Sequence, residues 1–174
     1  MKYLRLLILM VVLSIAVIGC KIEKEPRDIP FGCTLGGKLH IFSDSGHPAQ
    51  AGLPSDAKSH IINGEPIADE FVDLGQGVQS LEKLTFTLVY EYHADSTNTP
   101  AALEFVVKDS GGNQIWRGKQ NFLPSVAKKQ TTETFELPIG REYDGMDVSV
   151  EVKPVSAGDF GFYIYSLDGV LTVK

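Results

Sequence analysis

The sequence predicts an all-β protein, an antiparallel β-sandwich of jelly-roll or immunoglobulin-like order, preceded by a short signal-peptide helix. Three observations predict it. From Phe31 onward apolar residues recur with period two, the pattern of strands that bury one face. The segments that show it are short and are broken by Gly, Pro, Asn and Asp, as in sandwiches and barrels. The one long apolar run, Leu6 to Leu13 and on past Ser14 to Gly19, sits at the N-terminus behind Lys2 and Arg5.

That run covers 14 residues, Leu6 to Gly19. It is too short to cross ~30 Å of hydrocarbon as a helix rising ~1.5 Å per residue, so residues 1–19 read as a signal peptide. The run ends in Val17-Ile18-Gly19-Cys20, which resembles the bacterial lipobox. The resemblance implies that the Cys20 thiol takes a diacylglycerol, that the chain is cut just before Cys20, and that the new amino group is acylated. The implied partner is a lipid bilayer, held by two or three acyl chains where one would bind only marginally. Without acylation the same segment is a plain secretory signal or an inner-membrane anchor. Lys21 follows the cysteine where an Asp is absent, which resembles an outer-membrane address within the cell envelope.

Residues 20–30 then read as the lipidated cysteine and a tether: Lys21 to Pro30 is charged, holds two prolines and shows no apolar period. The β-sandwich domain is expected over 31–174. Its clearest strand is Met146 to Lys153, with Met146, Val148, Val150 and Val152 on the inner face and Asp147, Ser149, Glu151 and Lys153 on the outer. Leu84, Phe86, Leu88, Tyr90 and Tyr92 alternate in the same way with Thr85, Thr87, Val89, Glu91 and His93. Leu103, Phe105 and Val107 form a third row, and Asp109-Ser-Gly-Gly-Asn113 turns the chain into Gln114 to Arg117 as a hairpin. Further strands are expected at about 35–42, 58–63, 69–75, 131–138 and 160–173, the last with a break near Asp168-Gly169. Ser43 to Ala57 and Ala94 to Pro100 are the long loops.

Thr132-Glu-Thr-Phe135, the alternating Met146 to Val152, and the closing Leu167-Asp-Gly-Val-Leu-Thr-Val173 resemble the late strands of the galactose-binding-like jelly roll found in many carbohydrate-binding modules. The inserted Gly169, and Leu in place of Ile before the Asp, depart from that pattern. The resemblance spans Phe71 to Val173 and implies a binding module for glycans.

Charge narrows the partners. Loss of residues 1–19 removes Lys2 and Arg5 and takes the formal charge from −6 to −8. No basic footprint for nucleic acid remains, and anionic headgroups repel such a domain. Gly32 to Lys38 has phosphate-loop spacing, but Leu39 stands where a Ser or Thr must hold magnesium and a strand follows where a helix is needed. His40, His47, His60 and His93 show no metal-ligand spacing. No Ser-His-Asp order or nucleophile elbow is evident, so no catalytic residue, metal or cofactor is expected. Asp109, Asn113 and Asp168 offer oxygens that a jelly roll could use for calcium, yet a tight turn uses the same residues for backbone reasons. With Cys20 acylated, Cys33 has no intramolecular partner and reads as a small buried residue.

Trp116, Tyr163 and Tyr165 are the candidate ligand-binding residues. Tyr163 and Tyr165 share one parity of the last strand and Phe162 and Ile164 the other, so one row must face away from the core unless the strand is buried on both sides. The sequence therefore predicts a membrane-anchored envelope lipoprotein with a non-catalytic binding sandwich for glycans. The alternative is a structural or assembly lipoprotein that docks an envelope protein. Cys20→Ser is expected to abolish incorporation of labelled fatty acid and leave an unprocessed or soluble form; label that persists in the variant refutes the lipobox assignment.

Overall fold

The computed structural model describes residues 24–33, 35, 39–42, 59–62, 66–92, 100–123, 130–157 and 162–174. The signal segment, Cys20, His47, His93 and nearly all of the two long loops lie outside the described residues. Ten strands are present among those described: β1 (Arg27–Cys33), β2 (Leu39–Phe42), β3 (Ser59–Ile62), β4 (Ala68–Asp73), β5 (Ser80–Tyr92), β6 (Ala101–Lys108), β7 (Gln114–Phe122), β8 (Thr131–Glu142), β9 (Asp147–Ala157) and β10 (Phe162–Val173).

Two sheets form. One runs β3-β2-β10-β5-β8, with β1 also paired to β10, and the other runs β4-β9-β6-β7. All pairs are antiparallel except β2 with β3. The pairs nest: β6 returns on β7, β5 on β8, β4 on β9, and β1 and β2 on β10. A long hairpin rolled up in this way is the jelly roll, one of the two sandwich orders expected from the sequence.

Alternation builds the core. Val148, Val150 and Val152 are buried, as are Leu84, Phe86, Leu88, Tyr90 and Tyr92 of β5 and Leu103, Phe105 and Val107 of β6. The two sheets meet at Phe86 and Phe105, whose rings stack with centroids 3.9 Å apart. Phe162 fills one end of the sandwich, with Tyr92 at 5.5 Å, Phe122 at 5.3 Å and Tyr90 at 5.8 Å.

Three expectations need correction. β1 begins at Arg27, inside the segment read as tether, because Arg27 to Cys33 pairs residue for residue with Val173 to Leu167. Met146 is 58% exposed just before β9 and not in its inner row. β10 has no break at Gly169; Gly169 stays paired with Phe31, and a Cβ there would meet the Phe31 ring at 2.2 Å. The register with β5 shifts instead between Ile164 and Ser166, where Tyr165 is an extra residue, a bulge that restores Leu167 to the inner face, and again between Thr172 and Val173.

Cys33 is a free, buried thiol. Burial, then the charges of Glu70 and Asp168, push its pKa from 9.0 to about 12, which removes the thiolate that reactivity requires. Tyr90 is likewise pushed up from 10.0 to about 12, first by burial and then by Glu133, whose carboxylate accepts the phenol at 3.1 Å.

Both neutral forms are favoured in the folded state, so their contribution to stability is complete below about pH 9 and is lost as pH rises toward 12. Circular dichroism across that range is expected to show unfolding, with its midpoint raised in Tyr90→Phe; a midpoint unmoved in that variant counts against Tyr90 ionisation as a cause. Val150 is fully buried, so Val150→Asp is expected to cost several kcal/mol against a typical domain stability of ~5–15 kcal/mol. Ser149→Asp on the outer face, paired in register with Lys108, is expected to change stability by about 0.5 kcal/mol or less. Thermal melts of the two variants provide the check, and equal tolerance would contradict the half-buried strand.

Candidate functional site

The two outer faces of the sandwich differ in chemistry. On the four-stranded sheet Lys108 binds Glu151 at 2.6 Å, and Lys153 lies 3.4 Å from both Glu151 and Glu104. Arg117 adds a longer contact of 3.9 Å to Glu104. Val106, set in register between Arg117 and Glu151, is only 3% exposed, since long charged side chains lay their apolar stems over the sheet. The hydrogen bond from Lys108 holds the Glu151 carboxyl below the usual carboxylate range. Ser149 and Glu151 thus lie on the outer face as expected but are half-buried. This face satisfies its own charges.

The outer face of the six-stranded sheet is a field of hydroxyls. β5 contributes Thr85, Thr87, Val89 and Glu91; β8 brings Thr132, Thr134 and Glu136 beside them, and β10 brings Tyr163, Ser166 and Asp168. Thr87 and Thr134 join through their hydroxyls at 3.1 Å. At one end of the field Lys83 closes on Glu136 at 2.7 Å.

Tyr163 and Tyr165 stand at the other end. Phe162 and Ile164 are fully buried while Tyr163 and Tyr165 are half-buried on the opposite side, as their parity requires. Glu91 is the partner of Tyr163 in register, and the Tyr165 phenol donates to Glu91 Oε2 at 2.7 Å. A bond to the neighbouring strand makes the Tyr165 ring lean over the sheet, so the group combines aromatic surface, a carboxylate acceptor and nearby hydroxyls. β2 places His40 opposite Tyr163, and β3 places His60 opposite His40; neither alignment was visible from their spacing in the chain. The bulge at Tyr165 also gave no sequence signal, because it is defined only by the strand opposite.

Trp116 is separated from the tyrosines. It lies on β7, the edge of the other sheet, on the inward side opposite Val107, and packs against the core. Its ring rests on Gly118, where a Cβ would meet it at 2.3 Å. The missing side chain two residues on gives the indole a berth along its own strand, apart from the tyrosines.

Asp109 caps its turn. Its carboxylate accepts the Asn113 backbone N–H at 2.8 Å and the Asn113 side-chain amide at 3.0 and 3.2 Å, and these bonds, the side-chain amide foremost, hold the carboxyl below its ordinary pKa. Among the described residues no three His, Cys, Asp or Glu side chains gather as a metal site. Nor is any described helix long and apolar enough to cross a membrane.

No family model matches the chain and no curated protein matches it. Among solved structures it is similar to the T13 IBDV viral particle, with 10% identity over 90% of this chain and 35% of that one and a TM-score of 0.48. The infectious bursal disease virus VP2 subviral particle gives 11% identity, 90% and 37% coverage and a TM-score of 0.47. Eiger TNF from S. frugiperda gives 13% identity, 87% and 94% coverage and a TM-score of 0.36. The chain spans about a third of the length of the viral proteins it matches first.

Proposed function

We propose that this chain is a lipid-anchored protein of the bacterial cell envelope, at the outer membrane, whose jelly roll binds a glycan without acting on it chemically. The anchor rests on the lipobox-like Val17 to Cys20 and the basic, short apolar segment before it. The binding reading is carried by one observation: Tyr163, Tyr165 and Glu91 share one end of an outer face otherwise rich in hydroxyls. Aromatic rings offer their faces to the C–H side of a sugar, while a carboxylate and hydroxyls match its hydroxyl groups. An uncharged glycan also suits an acidic domain that repels anionic ligands.

Docking of an envelope protein is less well supported. Phe71, Leu123, Met146 and Val155 are the large apolar residues exposed among those described, single side chains on β4, just after β7, just before β9 and on β9. Edge strand β7 carries Arg117 and Lys119, and edge strand β8 carries Glu133, Pro138 and Arg141, the residues that discourage strand addition.

The test is binding of the full-length acylated protein in detergent to chitin, galactan and β-glucan, all uncharged. Tyr163→Ala and Tyr165→Ala are each expected to weaken binding about tenfold, or about 1.4 kcal/mol, with little change in melting temperature. Trp116→Ala is expected to lower the melting temperature and leave affinity unchanged. Tyrosine variants that bind like the parent would sink the assignment of this face.

A further inference from the structure

We infer that the jelly roll stands with one end toward the bilayer that holds it, so that the tyrosine face meets a polymer beyond that bilayer and not a sugar headgroup within it. This rests on the acylation of Cys20 proposed above. Arg27 pairs with Val173, so the N-terminal strand enters the sheet at the end where β10 leaves it. Tyr163 and Tyr165 lie ten and eight residues back along β10, about 33 and 26 Å from that end at ~3.3 Å per residue.

The leash is pinned at the near end. The Arg27 guanidinium donates to the Leu74 carbonyl and the Lys24 ammonium to the Gly77 carbonyl. The loop can present these carbonyls because Gly75 and Gly77 hold φ of 65° and 78°, a conformation open to glycine at little cost. Residues 21–23 alone separate Cys20 from Lys24, and four Cα steps span at most about 14 Å. That is less than half the distance to Tyr163. Lying on the tyrosine face is opposed by charge: the outer face of the six-stranded sheet carries Asp28, Glu91, Glu136 and Asp168 against Lys83. An anionic headgroup layer repels such a face within a screening length of ~8 Å.

The acylated full-length protein in phosphatidylglycerol and phosphatidylethanolamine vesicles provides the test, with an energy-transfer acceptor on the headgroups. A donor is attached at Gln76→Cys, on the exposed near-end loop, or at Leu123→Cys, exposed at the Phe162 end; the buried Cys33 thiol stays unlabelled. Transfer from position 76 is expected to exceed that from 123 at least threefold, and equal transfer overturns the upright stance. In Lys24→Ala/Arg27→Ala, whose leash is freed, transfer from 123 is expected to rise; no change overturns the pinned leash. Galactosyldiacylglycerol added to the same vesicles is expected to change neither value, and a rise at 123 overturns the choice of partner. Protein that stays in the supernatant refutes the acylation reading and this inference with it. Loss of polysaccharide binding in detergent, by contrast, bears on the tyrosine face alone.

Discussion

Everything in this sandwich depends on sealing two sheets against each other without a covalent link. The seal is aromatic. Phe86 from the six-stranded sheet and Phe105 from the four-stranded one stack with centroids 3.9 Å apart, and Phe31 meets Phe86 edge-on at 6.3 Å. Such contacts add to the burial of two large side chains, each worth several kcal/mol when lost. Phe122 continues the seal toward the end occupied by Phe162, with its own edge-on contact to Phe135. Because inner faces of both sheets are spent on this seal, polar chemistry is confined to the outer faces and the strand ends.

Glycine makes the seal fit. Phe31 lies over Gly169, Trp116 over Gly118 and Tyr143 over Gly145, and an added Cβ at any of the three would stand 2.2 to 2.4 Å from a ring atom. In each case a ring occupies the space that a side chain would claim. The same device draws Trp116 onto the core edge, whereas Tyr163 and Tyr165 stay on the outer face by parity and the bulge adds Ser166 beside them. One outer face is closed by ion pairs among Lys108, Glu151, Lys153 and Glu104. The other keeps its threonines and tyrosines on display.

What the sequence makes legible is local. The valines of β9, the long row of β5 and the Asp109 turn follow from period and turn chemistry alone, and the outward parity of Tyr163 and Tyr165 follows from the same period. What it hides is non-local. Arg-Asp-Ile-Pro has the composition of a tether, and only its register against Val173 to Val170 makes it strand. The inward turn of Trp116 depends on Gly118, and the pairing of Glu91 with Tyr163 joins residues 72 positions apart in the chain. Neither the bulge nor the row of His60, His40 and Tyr163 can be read from spacing, since both are properties of neighbouring strands.

The nested pairing has a consequence for how the chain reaches its fold. β10 lies at the centre of the larger sheet, where it pairs with β1, β2 and β5, yet it is the last strand to be made. Contacts between the two extremes of a chain are the slowest to form, because the whole intervening loop must close first. A chain made N-terminus first therefore cannot complete its larger sheet until Val173 has been added. Until then β1, β2 and β5 each lack the neighbour that joins them, and the two sheets have nothing to close around.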